Sequence, residues 1–203
     1  MNAELQLVTG RRKAVWGSRV RAGATLAAAL LATSCSDAVR TGQASSYLVI
    51  QSLADAAGSS VVFSDVRNVD EATGAQSVIN DNATASFIVQ MKDVNGLAPS
   101  PVNAITITQY RVVYTRTDGR NTQGVDVPYA FDGAVTQTIS SSGSVGFTVV
   151  RNQAKLEAPL SALAATNIPI STIATITFYG HDQTGREVSV TGRMDVTFAN
   201  FPG

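Results

Sequence analysis

Apolar residues recur at every second position along much of this 203-residue chain, which is the period of strands that bury one face. Tyr47, Leu48, Val49 and Ile50 open a first strand and Val61, Val62 and Phe63 a second, with the small residues of 54–60 between them. Phe87, Val89 and Met91 alternate with Ser86, Gln90 and Lys92. Turn-forming Asn80, Asp81 and Asn82 precede that run, and Asn95, Gly96, Pro99 and Pro101 follow it.

Residues 105–114 carry a change of phase. Ile107 continues the odd positions of Ile105, whereas Tyr110, Val112 and Tyr114 fall on even ones. A β-bulge near Thr108 and Gln109 would absorb one residue and keep both halves facing the core. After a turn at Asp118-Gly119, alternation over Val125, Val127, Tyr129 and Phe131 predicts a strand ending in a turn at Asp132-Gly133. Val145, Phe147 and Val149 form another, after the serines of 140–142 and Gly143. Ala174, Ile176 and Phe178 lead through a polar turn at 181–185 into Val188, Val190, Met194, Val196 and Phe198, a hairpin.

The exception is 155–165, where Leu156, Leu160 and Leu163 recur at helical spacing and Pro159 fits only a first turn, so one short helix is expected there. Seven to eight short antiparallel strands with this single helix predict an all-β, two-sheet sandwich over 46–203.

The first 45 residues read differently. Arg11, Arg12, Lys13, Arg19 and Arg21 precede an apolar run over 22–32, then Thr33 and Ser34 precede Cys35. This is the layout of an export signal. The run is shorter than the ~20 apolar residues that span a bilayer. The segment Leu31-Ala32-Thr33-Ser34-Cys35 resembles the lipobox of bacterial lipoproteins, with Ala32 and Ser34 as tolerated variants of the commonest residues.

That resemblance implies a signal peptide over 1–34, cleavage between Ser34 and Cys35, and a diacylglycerol on the Cys35 thiol. One acyl chain would hold the protein only marginally, whereas the two of a diacylglycerol make the anchoring stable, so Cys35 alone could fix the location. A secretory signal with an incidental cysteine is the alternative. Arg11-Arg12 also invites a twin-arginine reading, against which Ala14 and Val15 stand where a large apolar pair is preferred. Ser36 after the cysteine implies sorting to the outer rather than the inner membrane. Residues 35–45 are poor in large apolar side chains and read as a tether.

The closing hairpin around Ile176, Phe178, His181 and Gly185 resembles the last strand pair of bacterial immunoglobulin-like and fibronectin-type modules. The wider chain is similar to uncharacterised bacterial lipoproteins. The resemblance implies a single immunoglobulin-like sandwich and no particular activity.

Charge narrows the functional classes. The chain has 15 basic and 15 acidic residues, and five basic residues and one acidic residue lie in 1–34. The remaining 10 basic and 14 acidic residues leave a formal −4, which disfavours nucleic acid as a partner. Cys35 is the sole cysteine and His181 the sole histidine, too few ligands for a zinc site and no partners for a nucleophile triad. No Gly-x-Ser-x-Gly elbow or glycine-rich phosphate loop occurs, and no cofactor is expected.

Carboxylate pairs such as Asp126 with Asp132, or Asp70 with Glu71, leave open an envelope hydrolase acting on glycans. The oxygens of 65–71 and of Asn80, Asp81 and Asn82 leave open a calcium-stabilised adhesion module. Most of these side chains fall in turns, where Asp bonds its own backbone. Tyr110, Tyr114, Tyr129, Phe131 and Tyr179 share phase with aliphatic residues and are expected in the core, and the sole tryptophan, Trp16, lies in the leader. The function expected is therefore a non-catalytic binding, scaffolding or envelope-assembly module, held to the membrane through Cys35 and contacting another envelope protein or a glycan.

Overall fold

A computed structural model describes residues 44–70, 72–93, 95, 98–166 and 168–201. Ser34 and Cys35 lie outside them. The strands are β1 (Ser46–Asp55), β2 (Val61–Asp65), β3 (Asn68–Val69), β4 (Gln76–Ser77), β5 (Asp81–Met91), β6 (Ile105–Thr115), β7 (Phe131–Ile139), β8 (Ser142–Val150), β9 (Ile170–Asp182) and β10 (Glu187–Ala199). A three-stranded sheet, β1-β5-β8, packs on a five-stranded sheet, β2-β10-β9-β6-β7, while β3 and β4 form a two-residue ladder apart. The fold is an all-β sandwich, and eight strands make its two faces.

Every pairing in the two large sheets is antiparallel except β2 with β10, which runs parallel. The chain leaves one sheet at the end of β1, turns, and enters the other as β2. Asp55 makes that turn, since its Oδ1 accepts the N–H groups of Ala57 and Ser59 at 2.9 and 2.7 Å. An Asx turn of this kind supplies partners to backbone groups that have left the ladder.

Aromatic rings tie the sheets together. Phe178 of β9 meets Phe87 of β5 at 5.0 Å and Phe147 of β8 at 5.3 Å, both edge-on. Tyr110 of β6 meets Phe147 at 5.5 Å. Edge-to-face contacts like these add roughly 0.5–1.5 kcal/mol each beyond the area they bury. The bulge in β6 occurs where the change of phase placed it, between Ile107 and Gln109 in the pairings with both β7 and β9. Ile105, Ile107, Tyr110, Val112 and Tyr114 are all buried as a result.

Three expectations are corrected. Residues 125–130 are not a strand: the N–H groups of Val125, Asp126 and Val127 all point to the Thr122 carbonyl, at 3.2, 2.8 and 3.3 Å, which curls the segment into a compact turn. Val125 and Tyr129 are exposed. Asp132 and Gly133 are not a turn but lie inside β7, paired with Arg111 and Tyr110, and the glycine is there because a Cβ at position 133 would overlap the Tyr110 ring. The helix over 155–165 is two single turns, α1 (Asn152–Leu156) and α2 (Leu160–Leu163). Pro159, which has no N–H to donate, stands between them. Leu160 and Leu163 reach the core, while Leu156 faces solvent.

Candidate functional site

Asp70, Asp126 and Asp132, the described members of the carboxylate pairs, each have a structural partner. Asp70 Oδ1 accepts the N–H groups of Ala72 and Thr73 at 2.9 Å each. Bonds from Thr73 and Ala72 hold its carboxyl below the usual range. Glu71 lies outside the described residues. Asp126 Oδ2 accepts the Thr122 N–H at 3.1 Å, and Asp132 pairs with Arg111 at 2.9 Å. The two carboxylates proposed as a catalytic couple are thus engaged separately.

Asp118 sits between Arg116 and Arg120, at 2.7 and 2.8 Å. Their guanidinium hydrogen bonds hold it well below the ordinary carboxylate value. Asp182 is buried; burial alone would raise its pKa. Its Oδ1 accepts from Thr184 N, Thr184 Oγ1 and Arg186 N at 2.8, 2.7 and 3.0 Å, and these bonds bring the pKa below normal. His181, beside it, is exposed with Nδ1 3.0 Å from the Asp182 carbonyl oxygen.

The oxygens considered for calcium are also committed. Asn80 Oδ1 accepts the Asn152 N–H at 2.7 Å, Asp81 Oδ1 takes the Lys155 ammonium at 3.0 Å, and Asn82 Oδ1 accepts from Thr148 Oγ1 at 2.9 Å. Each donor comes from β8 or from the segment that follows it, so the three residues sew β5 to that segment. Among the described residues, no three His, Cys, Asp or Glu side chains converge.

Sequence reasoning missed the Asp81–Lys155 pair, whose partners are 74 residues apart. The Lys155 side chain is wholly buried. The helical spacing places Leu156 on the buried face, and Lys155 takes that place instead.

The outward face of the five-stranded sheet is built in rows. Cross-strand hydroxyls meet at Thr106–Thr138 (2.9 Å), Thr177–Thr191 (2.9 Å) and Ser171–Thr197 (3.3 Å). Tyr179 stands in these rows opposite Ser189 and Gln109, 39% exposed, not in the core as expected. Tyr110, Tyr114 and Phe131 are core residues.

At the β2 edge the face turns apolar. Phe63 is 66% exposed and meets Phe201 edge-on at 5.8 Å. A groove of about 370 Å³ runs beside it, lined by Val61, Phe63, Ser171, Ile173, Asp195 and Thr197. Asp195 is the one carboxylate among these lining residues, so no pair of acid–base groups converges on the groove.

A second opening lies at the opposite edge of the sandwich, between β7 and β8. It is lined by Asn82, Tyr110, Ala134, Gly146, Phe147 and Thr148 and also measures about 370 Å³. Tyr110 closes its floor: the Thr148 N–H donates to the Tyr110 hydroxyl at 3.1 Å. The Tyr114 hydroxyl donates to the Val149 carbonyl nearby, and burial together with the Asp81 charge pushes the Tyr114 phenol far above its ordinary pKa.

No helix among the described residues is long and apolar enough to cross a membrane. No protein-family model and no curated protein matches this sequence.

Proposed function

We propose that the chain is an exported lipoprotein, cleaved between Ser34 and Cys35 and anchored through lipid on Cys35. Its sandwich is a non-catalytic binding module of the cell envelope, at the outer membrane by the resemblance of its signal. The observation that carries the binding role is the exposed Phe63–Phe201 pair beside the Val61–Ile173 groove. A ring so exposed contributes little to folding, and its exposure is explained by contact with a partner.

The strand order supports an immunoglobulin-like domain, with β1-β5-β8 facing β2-β10-β9-β6-β7 and a first segment that switches sheets. The separate engagement of Asp70, Asp126, Asp132 and Asp182 weighs against a hydrolase. Ala44 and Ser46 lie at the end of the sandwich where β5 finishes, whereas Phe63 lies toward the end where β10 finishes. The tether proposed for Cys35 would therefore join the sandwich at the end away from Phe63.

The test uses the full-length chain in its own envelope. Cys35→Ser is expected to accumulate as unprocessed precursor and to leave the membrane fraction. Sedimentation with membrane at mature length would rule out lipidation at this site. Phe63→Asp is expected to stay anchored and lose crosslinked envelope partners. An unchanged crosslinking pattern would remove the groove from the proposal.

A further inference from the structure

The two sheets are unequal, three strands against five, and the difference falls on one side. β1 packs over β10 and β2, and at the other edge β8 packs against β7. The inward side of β7 is only partly covered, with Phe131 and Ile139 buried but Gly133 and Val135 between them half-buried. Val135 packs on the core yet remains half-buried, and Arg151 closes part of the gap by stacking on Phe131 at 4.3 Å.

Above β7 lies the free edge of β8, which among the described residues pairs only with β5. The Thr148 N–H points away from β5 to Tyr110, so by the alternation of an antiparallel ladder the N–H groups of Gly146 and Ser144 point outward too. No hydrogen bond among the described residues engages those two groups. Tyr110 caps this edge at Thr148, but from Ser142 to Phe147 β8 carries no Lys, Pro or bulge to protect it.

The edge also specifies its occupant. β8 contains no ionisable side chain, nor do the residues paired with it from Asn82 to Ile88. Arg151 lies past the end of β8, stacked on Phe131, so a charged segment bonded at Ser144 and Gly146 would lose hydration with no counter-charge on β8 or on the β5 residues paired with it. A Cβ at Gly146 would meet nothing within 4 Å, so the strand has a notch, and an aromatic ring on a neighbouring strand covers an edge glycine of this kind well.

We infer that β8 takes up an extended, uncharged segment of a partner protein as a fourth strand of the small sheet. The segment lies over β7, its backbone bonded to Ser144 and Gly146 and an aromatic side chain seated over Gly146. This assignment rests on the binding-module reading and adds a second surface, distinct from the Phe63 groove. A second copy of this chain fits less well. Two-fold antiparallel pairing of β8 would point one copy's far end at the membrane. Its tether would then have to run back along a domain about 40 Å long, whereas the nine residues 35–43 span at most about 30 Å.

The experiment pans a phage-displayed library of random nonapeptides against the full-length protein. A synthetic copy of the leading peptide is then titrated against variants. Enriched sequences are expected to be uncharged and alternating, with one aromatic residue. Gly146→Pro removes only an outward donor and leaves the β5 ladder intact, so it should weaken binding about tenfold or more, while Phe63→Asp leaves it unchanged. In the unsubstituted protein the Ser144 and Gly146 amides should exchange fast when free and slowly with peptide bound, a readout that holds even if Gly146→Pro folds poorly.

No enrichment, charged consensus sequences, or unchanged exchange at those two amides would overturn the inference. Protection of both amides in the free protein would also overturn it, by assigning the edge to the chain's own residues. Loss of peptide binding in Phe63→Asp but not in Gly146→Pro would sink this surface and leave the binding-module reading standing. Envelope crosslinking that neither variant alters would sink that reading itself.

Discussion

Tyr110 on β6 accepts a hydrogen bond from the backbone N–H of Thr148 on β8, at 3.1 Å, so a core ring of one sheet caps the edge of the other. The same ring occupies the space that a Cβ at Gly133 would fill. Tyr110→Phe keeps the ring contacts with Phe131, Phe147 and Phe178 and orphans one N–H, which should cost about 1 kcal/mol. Gly133→Ala displaces the ring and should cost about 1–3 kcal/mol. Its cost should shrink in a Tyr110→Ala background, where the clash is gone. Urea unfolding of the four proteins checks this, and equal costs in both backgrounds would refute the steric account.

The wholly buried Lys155 pairs with the half-buried Asp81, the most enclosed ion pair among the described residues. Asp81→Ala leaves an ammonium enclosed without its counter-charge, and the expected loss is about 3 kcal/mol. Asp81→Ala combined with Lys155→Met removes both charges and should recover much of that loss. A double variant as unstable as Asp81→Ala would show that the hydrogen bond, and not the uncompensated charge, sets the cost.

The two preceding effects mark what the sequence conceals. Its alternation exposes β5, β6 with its bulge, β8 and the β9–β10 hairpin, because each buries one face and the period of two is written directly in the residue order. The same rule misleads at 125–131, where apolar residues alternate but three N–H groups converge on the Thr122 carbonyl. It misleads again at Asp132-Gly133, whose turn signature is a consequence of the Tyr110 ring. The Asp81–Lys155 pair, the partly covered inner side of β7 and the exposure of Phe63 arise from how distant segments stack. No local period encodes them.

Asp182 gives the acid limb of stability a testable component. Its folded pKa lies below the unfolded value of about 3.9, so its three hydrogen bonds contribute fully above that value. The contribution is lost as pH falls through the folded pKa. Asp182→Asn should lower stability at pH 6 and flatten the fall in stability below about pH 4. Chemical unfolding between pH 2 and pH 6 measures the slope. A variant whose pH profile parallels that of the unsubstituted protein would dismiss Asp182 as the source.

Phe63 and Phe178 differ in burial, and that difference separates a contact residue from a core residue. Phe178 is wholly buried among Phe87, Phe147 and Tyr110, so Phe178→Ala should cost about 3–5 kcal/mol. Phe63 has one aromatic neighbour, Phe201, and leaves most of its ring in water. Phe63→Ser should therefore cost less than about 1 kcal/mol. Thermal unfolding of the two variants compares them directly. A large loss in Phe63→Ser would make the ring a structural prop at the β2 edge, and its exposure would then no longer argue for a partner.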